Sequence, residues 1–142
     1  MTESNKPMLY RCELPVRYGD MDSNQHVNNT RYYQYLEEAR ILWLDGLGAH
    51  RREVGQGLVL LTCTHHFLRP VVHPNTVIVE LFAGDVGRTS LSLDHRMFVK
   101  GQPELVGQGD VKMVWIDVST QRPIPVPDSV RIAMGKEPLG ET

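Results

Sequence analysis

A chain of 142 residues is the size of one domain and is long enough to enclose a hydrophobic core, so we expect a single domain over residues 1–142. Its 41% hydrophobic and 23% charged residues are ordinary proportions for a globular protein. The formal net charge of −2 gives no electrostatic reason to expect a nucleic acid or an anionic membrane as a partner.

The N-terminus and the cysteines indicate the cellular compartment of the protein. Residues 1–7 lack the apolar segment of a signal peptide, and no run approaches the roughly 18 apolar residues of a transmembrane helix. Cys12 and Cys63 are too few for a disulfide framework and match no metal spacing. Because both lie in apolar runs, we expect buried free thiols and a cytoplasmic protein.

The first half of the chain predicts a strand, a polar loop and one long helix. Apolar alternation over residues 9–18 predicts the strand, and Pro15 within it indicates an edge position or a bulge. The helix is predicted from about Asn29 to Leu47, because apolar residues recur there at steps of three and four. The stripe is wide enough that we expect a curved sheet to wrap the helix.

The second half predicts four further strands, at residues 58–68, 76–83, 89–99 and 105–118. Turn residues at 84–87 and 100–103 predict hairpins, and Gly107 with Gly109 predicts a bulge or bend. The proline-rich residues 121–127 are expected to be irregular, and Asp128 is expected to cap a short helix through Met134. One helix followed by hairpin-linked strands predicts an α+β fold with an antiparallel sheet of about five strands.

The loop before the long helix holds an unusual number of polar side chains. Six fall within ten positions, namely Asp20, Asp22, Asn24, His26, Asn28 and Asn29. Helix capping explains one or two of them. The first turn of a helix also offers unpaired N–H groups that favour negative charge and could hold an oxyanion. In an extended loop, the spacing of two would point Asp22, Asn24 and His26 the same way.

The stretch Asp-Met-Asp-Ser-Asn-Gln-His-Val-Asn-Asn at residues 20–29, before an aromatic-rich helix with Glu-Glu-Ala-Arg at 37–40, resembles the hot-dog-fold acyl thioesterases. It is similar to the 4-hydroxybenzoyl-CoA thioesterase type, and Asn-Gln-His-Val-Asn-Asn is also similar to the acyl-ACP thioesterases. The resemblance covers about residues 9–120. It implies a curved antiparallel sheet around one helix, and hydrolysis of acyl-CoA or acyl-ACP to a free acid and a thiol.

The resemblance also implies roles for single residues. Asp22 matches the catalytic carboxylate, which would act either as nucleophile or as general base. Asn24 and His26 match residues that orient or activate the attacking water, and the backbone N–H of Asn29 matches the oxyanion donor. Many relatives have a glycine-rich segment after the aspartate. This chain has Ser-Asn-Gln at 23–25 instead, which favours the Asn/His form of the site.

Four side chains outside the loop are candidates for substrate binding. Tyr32 and Tyr33 either line an acyl tunnel or pack as core aromatics at helical spacing. His65 is expected near the pocket, and Arg88 is a candidate for the CoA phosphates because the chain has no phosphate-binding glycine motif. His65 and His66 are adjacent in a strand and face opposite sides, so we expect no metal and no cofactor.

Two other functions fit the same residues. An enoyl-thioester hydratase or dehydratase of the hot-dog fold also uses a histidine with a carboxylate, but here both lie in one short loop, which favours hydrolysis. A non-catalytic acyl-binding module would keep the fold without turnover. The joint presence of Asp22, Asn24 and His26 disfavours that module.

The predicted sheet also indicates an oligomer. One helix covers only one face of five strands, and the sheet edges would carry unpaired backbone groups. We therefore expect a homodimer, or a dimer of dimers, with the active site between the helix of one subunit and the sheet of the other.

Overall fold

In the computed structural model, which describes residues 6–49 and 54–140, six strands form one antiparallel sheet that carries a long helix. The elements are β1 Met8–Pro15, α1 Asn29–Gly46, β2 Gln56–Phe67, β3 Thr76–Val86, β4 Ser90–Val99, β5 Leu105–Asp117, β6 Arg122–Pro123 and α2 Asp128–Ala133. The strand order is β1-β3-β4-β5-β2, and β6 pairs with the end of β5. This is the predicted α+β arrangement of the hot-dog fold. The loop expected around residues 50–53 lies outside the described residues.

The core lies between α1 and the inner face of the sheet. Burial alternates strictly along β4, so that every second residue from Leu91 to Val99 is buried. The predicted apolar stripe of α1 is confirmed: its buried residues are Tyr32, Tyr35, Leu36, Ala39, Trp43 and Leu44. These two periods, two residues on the strand and about 3.6 on the helix, bring the two apolar surfaces face to face.

Strand β1 is an edge strand, as Pro15 predicted, but it ends at Pro15 instead of continuing to Tyr18. The chain then forms a 3-10 turn over Tyr18–Asp20, which brings the polar loop towards α1. The two cysteines are free but only half-buried, so the expectation of full burial was wrong. Both lie on edge strands, β1 and β2, which are covered on one side less than the central strands.

The C-terminal expectation needs two corrections. Residues 121–127 are not wholly irregular, because Arg122 and Pro123 pair with the end of β5. Pro123 has no N–H, and the next residue, Ile124, donates its N–H to the Trp115 carbonyl at 2.9 Å. The N-cap of α2 is Pro127 and not Asp128, whose Oδ1 instead accepts the Leu139 N–H at 2.8 Å.

The predicted irregularity at the β5 glycines is confirmed. The register changes from Met97 opposite Gly107 to Phe98 opposite Leu105, which leaves one extra residue in β5. Gly109 lies opposite both His65 of β2 and His95 of β4. The bulge thus adjoins a stretch of β5 where a side chain is missing between two histidines. Within the part of the chain that the structure describes, no helix is long and apolar enough to cross a membrane.

Candidate active site

The polar loop is a tight turn. The Asp22 N–H donates to the His26 carbonyl and the Gln25 N–H to the Asp22 carbonyl, both at 2.9 Å. The Asn24 N–H donates to Asp22 Oδ1 at 2.9 Å, and Gln25 has a φ of 62°. The extended loop with Asp22, Asn24 and His26 on one side was therefore wrong. An aspartate that binds the backbone two residues ahead favours a turn over an extended segment.

Helix α1 begins at the end of this turn. Its N-cap is Asn28, whose Oδ1 accepts from the Thr30 N–H at 2.9 Å and from the Thr30 hydroxyl at 2.7 Å. The Asn28 Nδ2 also donates to Asp22 Oδ2 at 3.4 Å, which ties the cap to the turn. The Asn29 N–H makes no hydrogen bond with any described residue. It is therefore available to an acceptor at the positive end of the helix dipole.

The two aspartates of the motif have different surroundings. Asp20 is 2% exposed and accepts the Tyr35 hydroxyl at 2.7 Å and the Arg17 N–H at 3.0 Å. Burial by itself would raise the pKa of Asp20, but these two hydrogen bonds and the Arg17 charge hold it below its ordinary value. Asp20 therefore anchors the loop to α1. Asp22 is only half-buried, so its carboxylate is the more accessible of the two.

A cavity of about 200 Å³ opens beside the start of α1. Three of the predicted residues line it, together with the end of β2 and the segment that follows. The lining residues are His26, Val27, Asn29, Tyr32, Phe67, Leu68, Arg69 and Pro70. Asp22 and Asn24 are not in this lining. Burial is the main cause of the raised pKa of Tyr32, and the negative charge of Asp22 adds to it, so Asp22 acts on this wall of the cavity.

Aromatic rings form the wall of the cavity on the β2 side. Tyr32 and Phe67 meet edge to face, with centroids 5.1 Å apart. Tyr33 is 38% exposed and contacts the same group, 6.3 Å from Phe67. His65 is buried behind them, stacked on Tyr32 at 5.5 Å, and does not line the cavity. The sequence analysis did not identify Phe67 and Arg69. They line the cavity because β2 ends beside α1.

Arg88 is not near this cavity in one chain. Arg88 lies in the turn before β4 begins. The cavity adjoins Phe67, which pairs with Gly107 of β5, and Gly107 in turn pairs with Met97 near the end of β4. Arg88 and the cavity are therefore at opposite ends of β4. Arg69 lines the cavity and is the basic group that sequence reasoning missed. Among the described residues, no group of three or more His, Cys, Asp or Glu side chains could hold a metal ion.

A partly exposed carboxylate, an imidazole and a free N–H at a helix start are thus concentrated within eight residues. A carboxylate or an imidazole can take a proton from water, and an N–H at a positive helix end can stabilise a developing oxyanion. The arrangement suits attack on a carbonyl carbon in an apolar cleft.

Comparison with known proteins places the chain in one family. A family model described as "Thioesterase-like superfamily" matches residues 16–134. A solved structure from Pseudomonas aeruginosa, assigned to the thioesterases, is 48% identical, with a TM-score of 0.86 over 89% of this chain and 98% of that one.

Two relatives with named thioesterase activities are less similar in sequence. The chloroplastic acyl-acyl carrier protein thioesterase ATL3 of Arabidopsis thaliana is 27% identical over 126 residues, 87% of this chain. The chain spans only 66% of the length of that relative. The long-chain acyl-CoA thioesterase FadM of Escherichia coli is 24% identical over 123 residues, which cover 85% of this chain and 93% of FadM. The names of these relatives support thioester hydrolysis.

Proposed function

Because the chain belongs to the thioesterase-like superfamily, we propose that it is an acyl thioesterase that hydrolyses acyl-CoA or acyl carrier protein thioesters to a free acid and a thiol. One observation carries this proposal. Asn29, whose N–H has no hydrogen-bond partner among the described residues, and His26 line the same cavity, next to the Asp22 turn. The motif that resembles the thioesterases therefore lies around a space that a carbonyl group can enter.

In the proposed reaction, the thioester carbonyl oxygen accepts the Asn29 N–H. With Asp22 as general base, a water held by His26 and Asn24 attacks the carbonyl carbon as Asp22 takes its proton. The negative charge that forms on the oxygen is stabilised at the positive end of α1. Collapse of the tetrahedral intermediate breaks the carbon–sulfur bond, and the departing thiolate takes the proton from Asp22. With Asp22 as nucleophile, the carboxylate attacks the carbonyl carbon, the carbon–sulfur bond breaks and the thiolate leaves, and water then hydrolyses the resulting acyl anhydride to the free acid and the Asp22 carboxylate.

We also propose a homodimer, or a dimer of dimers, that forms along the free edge of β2. Among the described strands, β2 pairs with β5 alone, so its other edge is open. Val59, Leu60 and Leu61 are exposed on this strand, in contrast to the charged Arg11 and Glu13 on the opposite edge strand β1. Pairing of a second copy would cover these apolar side chains and close the cavity beside Phe67.

Release of free thiol from a panel of acyl-CoA and acyl carrier protein thioesters tests the activity. Turnover of at least one thioester is expected, and absence of thiol release from every member would reject it. Sedimentation at assay concentration tests the assembly, since a fully active species of about 16 kDa, the mass of one chain, would exclude the dimer. The extent of the domain, the cytoplasmic location and the substrate contacts of Tyr33, His65 and Arg88 stay predictions.

A further inference from the structure

Two histidines from different strands meet on the inner face of the sheet. His65 Nδ1 and His95 Nε2 are 2.9 Å apart, and the rings stack at 5.1 Å with an interplanar angle of 19°. The side chains are only 7% and 3% exposed. Both residues lie opposite Gly109, which contributes no side chain, so the imidazoles meet across β5. The pair lies outside the polar loop and is not used in the proposed reaction.

The backbone around the pair is shaped to accept it. A Cβ placed on Gly107 would lie 2.4 Å from His65 Nε2, so a side chain there would collide with the ring. That Nε2 has no hydrogen-bond partner among the described residues. Burial of two imidazoles, one with an unsatisfied nitrogen, is unfavourable compared with two apolar side chains. In return, the hydrogen bond between His65 Nδ1 and His95 Nε2 fixes the orientation of both rings.

The fixed ring of His65 supports the cavity wall. It stacks on Tyr32 at 5.5 Å with an angle of 28°, and it meets Phe67 edge to face at 4.8 Å. In one chain, Phe67 is 43% exposed on an edge strand, so burial within that chain does not by itself hold its ring. Tyr32 and Phe67 both line the cavity that contains His26 and Asn29. A change of ring orientation at His95 would therefore reach the cavity through His65.

We propose that the hydrogen-bonded pair of His65 and His95 is a positioning unit that fixes the rings of Tyr32 and Phe67 and thereby determines which acyl groups the cavity accepts. This inference rests on the proposed thioesterase function. His95 has no contact with the cavity and acts only through His65. Its replacement should change the relative preference among acyl groups, not the reaction common to all of them.

The electrostatic surroundings favour an uncharged pair. Burial lowers the pKa of His65 to about 4, and burial together with the neighbouring His65 lowers the pKa of His95 to about 3. The nearby Arg40 charge acts on His95 in the same direction. Other titratable side chains on the surrounding elements are Tyr32, Cys63, His66, Asp94 and Asp110. With both rings neutral at pH 7, one N–H and one bare nitrogen are available for the shared hydrogen bond.

The test compares kcat and KM for acetyl-, hexanoyl-, benzoyl- and palmitoyl-CoA in wild type and three variants. His95→Phe keeps a ring of similar size but removes the hydrogen bond. We expect it to change the kcat/KM ratio between the preferred acyl group and acetyl-CoA by about 10-fold, mainly through KM. His95→Gln places an amide near the position of Nε2 and should restore most of the wild-type ratio. His66→Gln, an exposed neighbour on the other face of β2, is the matched control and should leave the ratio unchanged.

A direct observation of the rings completes the test. Long-range nitrogen–proton correlation spectra of the wild type should show two histidines that stay neutral at pH 5.5, one proton being shared between them. Histidines at both positions that titrate near pH 6.5 would overturn the pair. A folded His95→Phe variant with the wild-type preference, or with equal losses for all acyl groups, would overturn the positioning role. A wild type that hydrolyses no thioester would instead reject the proposed function.

Discussion

Two buried polar clusters pack against α1, one around Asp20 and one formed by His65 and His95. They differ in how they accommodate an ionisable group away from water. Asp20 keeps its charge, because the Arg17 N–H and the Tyr35 hydroxyl donate to it. His65 and His95 hydrogen-bond to each other, and their pKa values fall well below the ordinary histidine value. A buried carboxylate keeps its charge where several donors bind it, whereas a buried imidazole that no carboxylate hydrogen-bonds loses its proton.

The largest expected effect is a loss of catalytic rate on replacement of Asp22, which distinguishes it from Asp20, the other aspartate of the motif. Since Asp20 is fully engaged in structure, Asp22 is left for chemistry, and Asp22→Asn should lower kcat on the order of 10²-fold or more. A neutral amide is neither a base nor a nucleophile. Its oxygen can still accept the Asn24 N–H, and only the long Asn28 Nδ2 bond to the other oxygen is lost, so the unfolding temperature should fall only slightly. Thiol release and thermal unfolding measure the two quantities. Turnover close to wild type would remove Asp22 from the mechanism.

Replacement of the other aspartate should act on stability. Asp20→Ala leaves the Tyr35 hydroxyl and the Arg17 N–H without their acceptor in a buried site, which we expect to lower the free energy of unfolding by about 3 kcal/mol. Urea denaturation at pH 7 measures the loss. A loss below about 0.5 kcal/mol, the size of a typical surface substitution, would show that Asp20 does not anchor the loop.

The same two clusters show what the sequence can predict. Asp20 and Tyr35 are 15 positions apart and belong to one loop–helix segment, so the sequence predicted the two elements that carry them but not the hydrogen bond between them. The tight turn at Asp22 was missed because it depends on side-chain hydrogen bonds that do not follow from a spacing of two.

His65 and His95 illustrate the other limit. They are 30 positions apart on strands that do not pair with each other, and both lie opposite Gly109. The sequence predicted the two strands, and the glycines of β5 predicted an irregularity, but nothing singled out His95. Their meeting depends on the exact register of three strands, which the hydrophobic pattern alone does not fix to a single residue. The cavity lining at Phe67 and Arg69 escaped prediction for the same reason.

The difference in charge between the clusters predicts a pH effect. Folding lowers the pKa of His65 and His95, so their contribution to stability is fully present above the unfolded value of about 6.5 and is lost as the pH falls towards 4. Between pH 7 and pH 5, wild type should lose about 2 kcal/mol more than His95→Phe, which lacks one of the two titrating groups. Urea titrations of both proteins at the two pH values measure this. Parallel losses would mean that His95 is not buried as an uncharged base.

A smaller effect is expected at His26, which lines the cavity but is exposed. His26→Ala should reduce kcat/KM by about 10-fold, less than Asp22→Asn, if the imidazole only orients water. His66→Ala, another exposed histidine, serves as the control for a general effect on the protein. An unchanged kcat/KM would assign His26 to the structure of the turn, where its carbonyl already accepts the Asp22 N–H.

The smallest expected effect is on stability, and it tests how much the Tyr35 hydroxyl contributes to holding the charge of Asp20. Tyr35→Phe removes one hydroxyl and leaves the Arg17 N–H as a donor to Asp20, so the loss in stability should be about 1 kcal/mol at pH 7. Burial and the charge of Asp20 raise the pKa of Tyr35 far above its ordinary value, so the hydroxyl remains a donor throughout the accessible range. Without it, the pKa of Asp20 should move back towards its unfolded value.

Two measurements separate this role from simple packing. The stability that Asp20 contributes is present above its unfolded pKa and is lost as the pH falls, so the loss between pH 5 and pH 3 should be smaller in Tyr35→Phe than in wild type. Tyr33→Phe removes the hydroxyl of a half-exposed neighbour on the same helix and should change neither value. If the two variants behave alike, the Tyr35 hydroxyl does not stabilise the charge of Asp20, and the contrast with the uncharged histidine pair would rest on Arg17 and Arg31.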